Sequence, residues 1–176
     1  YGAVGDGATN EGSFHESLNM AAAWQLPLVW FIENNCYGVS TEIHRVTNTP
    51  HLASRAEAYG VPYAIVDGTN PTEVYEAMQK AMEHARSGKG PYLVEATVYR
   101  YQGHYCGDPA VYRPKEYMEH ALENDGIMKL GKRLLALGAT QEELDEITAA
   151  PQSVQAAAYQ ITLDRVIGEH KLPENC

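Results

Sequence analysis

Short apolar runs and helical stripes alternate along the first part of the chain. Residues 1–4 and 28–32 are apolar runs, and the second is typical of a strand buried on both faces. Between them, residues 11–24 show the i, i+4, i+7, i+8 spacing of a helix, with Asn10 as its expected cap and Pro27 as its end. The apolar positions of this helix are Phe14, Leu18, Ala21 and Ala22. The pattern predicts a strand–helix–strand unit.

The same alternation continues beyond this unit. It predicts a short helix over residues 51–59 that stops at Gly60, a strand over 61–66, a helix over 71–86 and a strand over 91–99. Strands separated by helical patterns imply a parallel, doubly wound sheet. The predicted fold class is therefore α/β.

The length and composition favour a single domain over residues 1–176. A chain of 176 residues with 44% apolar and 20% charged residues has ordinary globular composition and ample length for one core. Within this domain we expect an α/β core over residues 1–100, a loop over 101–113 and carboxyl-terminal helices over 114–176.

Caps and apolar stripes mark these carboxyl-terminal helices. The polar pair at 124–125 is expected to cap a helix over residues 127–137, and Thr140 and Glu143 form a capping box for the next helix. A further helical pattern covers residues 153–170. The residues expected to face inward from the first of these helices are Leu130, Leu134 and Leu135.

The overall composition argues against several classes of function. The formal net charge is −10 and no basic stripe is present to meet phosphates, which argues against nucleic acid as a partner. No apolar run approaches the roughly 20 residues of a membrane span. The cysteines are odd in number and form no C-x-x-C pair, so we expect neither zinc nor a disulfide framework and favour a cytoplasmic location. They are Cys36, Cys106 and Cys176.

The most specific chemistry lies at the ends of the first two predicted strands. Gly5-Asp6-Gly7 follows the first strand and Asn34-Asn35 follows the second. A helix of about 14 residues travels roughly 21 Å and a strand of about six residues returns roughly 20 Å, so both motifs are expected at one carboxyl edge of a parallel sheet. Each motif alone is more often an ordinary turn. Together they favour a site for a Mg²⁺-bridged diphosphate.

The residues around these turns offer the oxygen ligands that Mg²⁺ prefers. This ion is usually held by one or two carboxylates together with substrate phosphates. Asp6 would supply a carboxylate oxygen, Asn35 an amide oxygen and Tyr37 a backbone carbonyl. Gly5 and Gly7 have no β-carbon, so diphosphate oxygens could approach the main chain closely at these positions.

A second informative segment, residues 100–113, follows the last predicted strand. It contains Gly103, Gly107 and Pro109, so a long ordered loop is expected there. Loops at the carboxyl edge of such sheets often carry function. His104 lies on this loop beside a glycine, and taken alone it is more often a solvent-exposed residue than a catalytic one.

Several motifs together resemble one enzyme family. Residues 5–12 (GDGATNEG), 19–24 (NMAAAW), 26–27 (LP) and 33–41 (ENNCYGVST) resemble the alpha subunit of thiamine diphosphate-dependent 2-oxo acid dehydrogenases. These are the decarboxylating components of the pyruvate and acetoin dehydrogenase complexes. The resemblance extends over residues 1–147 and fades beyond them.

The resemblance implies a thiamine diphosphate-binding fold and assigns roles to matching residues. Asp6, Asn35 and the Tyr37 carbonyl become the Mg²⁺ ligands, and Gly7 and Ala8 contact the diphosphate of thiamine diphosphate. The cofactors implied are thus thiamine diphosphate and Mg²⁺.

The segment from residue 99 to residue 104 resembles the active-site loop of these alpha subunits. His104 is then the catalytic residue that reaches cofactor and substrate, where an imidazole can donate a proton or stabilise a developing anion. Asp108, Tyr112 and Arg113 are expected to hold the loop through charge-assisted hydrogen bonds. Tyr105 stands where regulated mitochondrial relatives have a phosphorylatable serine, so control by that phosphorylation is not expected.

The resemblance also implies partners and a substrate class. The chain is expected to be a carboxyl-terminal fragment of the alpha subunit, since it lacks an initial Met and Tyr1 enters a predicted strand. A beta subunit in an α₂β₂ arrangement would supply the glutamate that activates the cofactor. A lipoyl-bearing acyltransferase component would accept the two-carbon unit from pyruvate, acetoin or another 2-oxo acid, and residues 107–113 favour the acetoin type.

Two other functions remain open at this point. One is a different thiamine diphosphate enzyme of the transketolase-like or carboligating type, which should lack the loop over residues 100–113. The other is a non-catalytic fragment that only mediates subunit assembly.

Overall fold

The structure, a computed structural model, describes residues 1–149, 166–167 and 170–171. The chain divides into two compact units, Tyr1–Lys129 and Leu130–Cys176, and each is described by itself. The single domain expected over residues 1–176 stays a prediction.

A four-stranded parallel sheet forms the centre of the first unit. The strands of this unit are β1 (Gly2–Gly5), β2 (Val29–Asn34), β3 (Tyr37–Gly38), β4 (Thr41–Glu42), β5 (Tyr63–Asp67) and β6 (Tyr92–Thr97). The sheet has the order β1-β2-β6-β5, so β6 inserts between two strands that precede it in the chain. Strands β3 and β4 form a separate antiparallel pair. The predicted parallel α/β sheet is confirmed.

Helical segments connect the parallel strands, and further α-helices follow the last of these strands. The α-helices are α1 (Gly12–Ala23), α2 (Pro71–Arg86), α3 (Lys115–Glu123), α4 (Gly126–Ala136) and α5 (Gln141–Ala149), and the 3₁₀ segments are Gly7–Asn10, Ile43–Arg45 and Ala53–Tyr59. The Asn70 side chain caps α2 by accepting a hydrogen bond from the Thr72 N–H at 3.2 Å, and Pro71 occupies its first turn.

Apolar side chains cover both faces of the sheet. On one face, Phe14 and Leu18 of α1 pack with Ile32 of β2 and Leu93 of β6. On the other face, α2 contributes three buried alanines that pack against strand residues. The strand residues on this second face include Val29, Tyr92 and Val94, and the alanines are Ala77, Ala81 and Ala85. Neighbouring β6 residues therefore face opposite layers, as a doubly wound sheet requires.

Three local expectations differ from the structure. Asn10 does not cap α1, because its side-chain oxygen accepts from Arg55 Nη2 at 2.7 Å. The helix expected over residues 51–59 is a 3₁₀ segment, Ala53–Tyr59, which ends as predicted at Gly60 in the left-handed conformation with φ 65°. Leu135 is not inward-facing but 41% exposed.

The second unit contains α5 and a short strand pair. The predicted capping box is confirmed, since Glu143 N donates to Thr140 Oγ1 at 3.2 Å and Thr140 N donates to Glu143 Oε2 at 2.8 Å. Strands β7 (Val166–Ile167) and β8 (His170–Lys171) pair antiparallel, so the helix expected to reach residue 170 is wrong at these residues. The β-branched pair in β7 favours extended backbone. The rest of the predicted 153–170 helix lies outside the described residues.

Candidate functional site

The ends of β1 and β2 place the two predicted motifs side by side. Gly5, the last residue of β1, is in register with Glu33 of β2. Asp6 and Asn34 therefore leave the sheet at neighbouring positions of its carboxyl edge, where α/β folds bind ligands. The structure brings Asp6 and Asn35 to the same edge, close enough for the Asn35 backbone N–H to lower the pKa of the Asp6 carboxyl group.

Asp6 is a buried carboxyl group with one oxygen left without a partner. Its exposed fraction is 1%, and its Oδ2 atom has no hydrogen-bond partner. Burial raises the pKa of Asp6 above its ordinary value, and hydrogen bonds from backbone N–H groups together with the Arg100 charge only partly offset this rise. A cation beside Oδ2 would relieve the cost of burying this negative charge.

Two consecutive side-chain turns shape the segment that follows β2. Asn34 Oδ1 accepts from Cys36 N at 3.0 Å, and Asn35 Oδ1 accepts from Tyr37 N at 3.1 Å. Cys36 consequently adopts a left-handed conformation with φ 67°. Each amide oxygen has two lone pairs, so Asn35 Oδ1 keeps one for a further ligand.

The Asp6 turn packs directly on the β3–β4 hairpin. A β-carbon placed on Gly7 would lie 3.0 Å from the Cα of Gly38. A β-carbon on Gly5 would meet nothing within 4 Å. The missing β-carbon of Gly7 thus allows the backbone to contact the hairpin. The space that was expected for a ligand at both glycines lies beside Gly5.

Arg100 is a site residue that sequence reasoning did not single out. Its Nη1 donates to the Tyr37 carbonyl at 3.3 Å, and its Nη2 donates to the Val39 carbonyl at 2.6 Å and to the Tyr112 hydroxyl at 2.8 Å. Its buried Nε has no partner. The signal available in the sequence was a basic residue that closely follows a strand at the proposed ligand edge. The guanidinium shares the Tyr37 carbonyl that was expected to bind Mg²⁺.

His104 reaches the same cluster through Arg100. The Arg100 Nη1 atom lies 3.4 Å from His104 Nδ1, and the His104 side chain is otherwise exposed. A guanidinium group can only donate, so Nδ1 is the acceptor and the imidazole proton is on Nε2. His104 therefore presents an N–H group away from Arg100.

Asp108 organises the loop around His104, as expected. Asp108 Oδ2 accepts from His104 N at 2.7 Å and from the Tyr112 hydroxyl at 2.6 Å, while Oδ1 accepts from Ala110 N at 2.9 Å. These hydrogen bonds, that from Tyr112 first, lower the pKa of Asp108 to about 2. The carboxylate is thus ionised at neutral pH.

Arg113 closes the loop from its other end. Its guanidinium donates to the Gln102 carbonyl at 2.7 Å and to the Arg100 carbonyl, and it lies 5.4 Å from the centre of the Tyr117 ring. The Tyr117 hydroxyl in turn accepts from Arg100 N at 2.9 Å and donates to the Asn35 carbonyl at 3.1 Å. Tyr117, a residue that the sequence did not suggest, therefore links the loop to the turn after β2.

The two described cysteines, Cys36 and Cys106, are both free thiols. Burial raises the pKa of the Cys36 thiol, and the neighbouring Asp6 charge raises it further, so the thiol stays protonated at neutral pH. Cys106 is free and exposed on the loop. Cys176 lies outside the described residues.

The described residues contain no cluster of three or more His, Cys, Asp or Glu side chains that could hold a metal ion. An ion at Asp6 would therefore depend on one carboxylate supplemented by amide and carbonyl oxygens. Within the same part of the chain, no helix is both long enough and apolar enough to cross a bilayer.

Comparisons of the sequence with a family model and with known proteins agree on one family. The model of the dehydrogenase E1 component family matches residues 2–164. The pyruvate dehydrogenase E1 component subunit alpha of Rhizobium meliloti is 41% identical over 154 residues, which are 86% of this chain and 44% of that protein. The alpha subunit of acetoin:2,6-dichlorophenolindophenol oxidoreductase from Bacillus subtilis is 46% identical over 132 residues, or 74% of this chain and 40% of that protein.

The chain spans less than half the length of these relatives. Among solved structures, a transketolase from Campylobacter jejuni matches with a TM-score of 0.47 and 20% identity over 87% of this chain and 28% of that chain. The family match, in contrast, covers almost all of the sequence. This chain belongs to the dehydrogenase E1 component family.

Proposed function

We propose that this chain binds the diphosphate of thiamine diphosphate through Mg²⁺, as part of the alpha subunit of a pyruvate or acetoin dehydrogenase. The observation that carries the proposal is the buried Asp6 carboxyl group, whose Oδ2 atom has no partner and whose neighbour is Asn35. Membership of the dehydrogenase E1 family and the alpha-subunit relatives support it.

The donor set suits Mg²⁺. Asp6 offers a free carboxylate oxygen, Asn35 keeps an unused amide lone pair and Tyr37 offers a carbonyl. Hard oxygen donors with a single carboxylate fit an ion that also retains phosphate and water ligands. The Tyr37 carbonyl has a second lone pair beside its bond from Arg100, so the guanidinium need not leave for the ion to bind.

Arg100 supports the anionic part of the ligand. Its partnerless Nε and its positive charge lie at the same edge as the Asp6 and Tyr37 turns. Guanidinium groups are well suited to phosphate oxygens. Gly7 and Ala8 follow Asp6 directly, and we assign them the expected contacts with the diphosphate.

The reactive group of the cofactor would work beside His104. When bound, thiamine diphosphate supplies a nucleophilic thiazolium carbon and an electron sink for cleavage next to a carbonyl group. His104 holds its proton on Nε2 because Nδ1 accepts from Arg100, so it can donate that proton to an oxygen of the substrate. The Asp108 hydrogen bond to His104 N keeps the loop, and hence the imidazole, in place.

The partners and substrate follow from the same proposal. We propose a beta subunit in an α₂β₂ assembly, a lipoyl-bearing acyltransferase component as acceptor, and a cytoplasmic location. Pyruvate and acetoin are the candidate substrates. Alpha subunits of both types match this chain, and residues 107–113 favour the acetoin type.

Calorimetric titration of the full-length protein tests the proposal. Thiamine diphosphate should bind in the presence of Mg²⁺ and fail to bind with EDTA, and Asp6→Ala should abolish the Mg²⁺-dependent heat. Glu76→Gln, which removes an exposed acid on α2, is the matched control and should bind normally. Binding that is independent of both Mg²⁺ and Asp6 would overturn the proposal.

A second assay separates the remaining alternatives. The protein assembled with its beta subunit should release CO₂ from pyruvate or consume acetoin and transfer the two-carbon unit to a lipoyl domain. Activity on sugar phosphates without a lipoyl acceptor would indicate the transketolase-like alternative. Binding of a beta subunit without any cofactor would indicate an assembly role.

A further inference from the structure

Glu95 is a buried carboxyl group in the middle of the central strand β6. Its exposed fraction is 0%, and it ranks among the largest fully buried side chains of the described residues. Both of its oxygens accept hydrogen bonds: Oε1 from Asn34 Nδ2 at 2.7 Å and Oε2 from the backbone N–H of Ala53 at 2.8 Å. A buried carboxyl group generally adds little to stability compared with an apolar side chain of similar size, so stability alone does not explain its presence.

The first of these bonds orients the turn after β2. Asn34 donates to Glu95 with its amide nitrogen and accepts from Cys36 N with its amide oxygen. The carboxyl group therefore fixes the orientation of the Asn34 amide. A flipped amide would turn its oxygen towards Glu95 Oε1 and its N–H donors towards the Cys36 N–H, so both hydrogen bonds would be lost. The turn that this amide holds carries Asn35 and Tyr37.

The second bond anchors the 3₁₀ segment Ala53–Tyr59, which holds the Asp6 turn. Arg55, on this segment, donates to the Thr9 carbonyl, to Thr9 Oγ1 at 3.0 Å and to Asn10 Oδ1 at 2.7 Å. Thr9 Oγ1 in turn donates to the Asp6 carbonyl at 2.7 Å. The second oxygen of Glu95 is thus connected to the other turn of the site.

We propose that Glu95 is a positioning residue that sets the spacing of the two ligand-bearing turns from inside the core. This inference rests on the proposed Mg²⁺-dependent binding of thiamine diphosphate and concerns the same site. Each oxygen of one carboxyl group holds one of the two turns, so the Asp6 carboxylate and the Asn35 amide are placed relative to a common point. Glu95 does not itself contact the ligand.

The variant Glu95→Gln tests this role with almost no change of volume. An amide offers one acceptor and one donor, so it cannot accept from both Asn34 and Ala53. We expect the Kd of Mg²⁺, measured by calorimetry at saturating thiamine diphosphate on the full-length protein, to rise about tenfold or more, since the loss of groups behind a metal ligand has effects of roughly 10–100-fold. Without ligand, hydrogen exchange at the Cys36 and Tyr37 amides should become faster.

Exchanging the acid and the amide between positions 95 and 34 should restore the Mg²⁺ affinity. In the double variant Glu95→Gln with Asn34→Asp, the introduced amide donates to the introduced carboxylate and still accepts from Ala53, while the carboxylate accepts from Cys36 N. All three hydrogen bonds are restored with the same net charge. We expect the double variant to recover most of the Mg²⁺ affinity, whereas Asn34→Asp alone, which sets two carboxyl groups against each other, should bind weakly.

Tyr92→Phe is the matched structural control on the same strand. It removes a hydrogen bond from a buried side chain, that from the Tyr92 hydroxyl to the Tyr63 carbonyl at 3.3 Å, on the opposite face of the sheet. It should lower the unfolding midpoint without changing the Kd of Mg²⁺. If Glu95→Gln behaves in the same way, or the double variant stays as weak as the single one, Glu95 is merely structural and the inference is wrong.

The outcome for the wild type separates this inference from the proposed function. Absence of Mg²⁺-dependent binding in the wild type would refute the proposed function. Normal binding in the wild type and in Glu95→Gln alike would refute the positioning role alone. Should Glu95→Gln fail to fold, the double variant decides the question, because all three hydrogen bonds are restored there and a Kd of Mg²⁺ far above that of the wild type would refute the positioning role.

Discussion

The backbones of Gly7 and Gly38 touch. A β-carbon on Gly7 would lie 3.0 Å from the Cα of Gly38, and one on Gly38 would lie 3.2 Å from the Cα of Gly7. Both neighbours are main-chain atoms, which cannot move aside as a flexible side chain would. The contact joins the turn that carries Asp6 to the hairpin that begins at Tyr37. The geometry of the candidate site therefore requires glycine at both positions.

Gly7→Ala should therefore separate the two turns. We expect it to destabilise the protein by about 1–3 kcal/mol, as overpacking usually does, and to weaken Mg²⁺-dependent binding of thiamine diphosphate. Gly5→Ala is the control for stability, because a β-carbon there meets nothing within 4 Å. Urea unfolding measures the stability of both variants. Equal midpoints for Gly7→Ala and Gly5→Ala would contradict the packing argument.

Asp6→Asn should stabilise the metal-free protein while abolishing Mg²⁺-dependent binding. Burial raises the pKa of Asp6 in the folded state above the ordinary 3.8, so the folded chain holds this proton more tightly than the unfolded chain does. The resulting stabilisation is fully present below pH 3.8 and is lost as the pH rises through the folded-state pKa. At neutral pH the buried charge is then a cost that the neutral amide avoids.

Thermal unfolding across the pH range measures this effect. Without Mg²⁺, the melting temperature of Asp6→Asn should be higher than that of the wild type at pH 7. In a chain of this size, each kcal/mol of added stability raises the melting temperature by about 2–4 °C. The difference should shrink towards low pH. Mg²⁺ with thiamine diphosphate should raise the melting temperature of the wild type only. A variant that melts lower than the wild type at pH 7 would show that the Asp6 charge is already balanced within the protein.

The Asp108 carboxylate should keep the loop ordered down to acid pH. Its folded-state pKa of about 2 lies below the ordinary 3.8, so its contribution is fully present above pH 3.8 and is lost as the pH falls towards 2. Hydrogen exchange at the His104 and Ala110 amides, normalised to amides of β6, should show constant protection from pH 7 to about pH 4. Asp108→Asn should lower this protection at every pH, and an unchanged protection would contradict the assignment.

Arg100→Lys should loosen the loop and weaken cofactor binding, although it keeps the positive charge. The planar guanidinium contacts the Tyr37 and Val39 carbonyls and the Tyr112 hydroxyl at once, which an ammonium group on a flexible stem cannot reproduce. We expect faster proteolysis of the loop and binding of thiamine diphosphate weakened by about 1.5–3 kcal/mol, the range for hydrogen bonds to charged groups. Arg86→Lys at the exposed end of α2 is the control and should behave as the wild type.

Much of the fold could be predicted because its signals are local. The strand–helix–strand unit from β1 to β2, the bounds of α2 and the capping box of α5 are each encoded within a few neighbouring residues. The 3₁₀ form of Ala53–Tyr59 and the use of Asn10 by Arg55 could not be predicted, since both depend on partners far along the chain.

The meeting of Asp6 and Asn35 was predictable for a different reason. A helix and a strand of matched lengths return the chain to its starting edge, so spacing in the sequence becomes proximity in space. For the residues that complete the site from other parts of the chain, sequence spacing offered no comparable indication. Glu95, Arg100 and Tyr117 reach it from a strand, a loop and a helix that follow β2 much later in the chain.

The sequence alone thus determined which segments form strands and helices, that they build a parallel α/β sheet, and where an acidic turn and an asparagine turn leave it. Only the tertiary structure decided which side chains complete the site. The reason is the strand order β1-β2-β6-β5: periodicity and turn chemistry act over a few residues, whereas the insertion of β6 beside β2 depends on packing across the whole core. That pairing places Glu95 beneath the turns and Arg100 beside them.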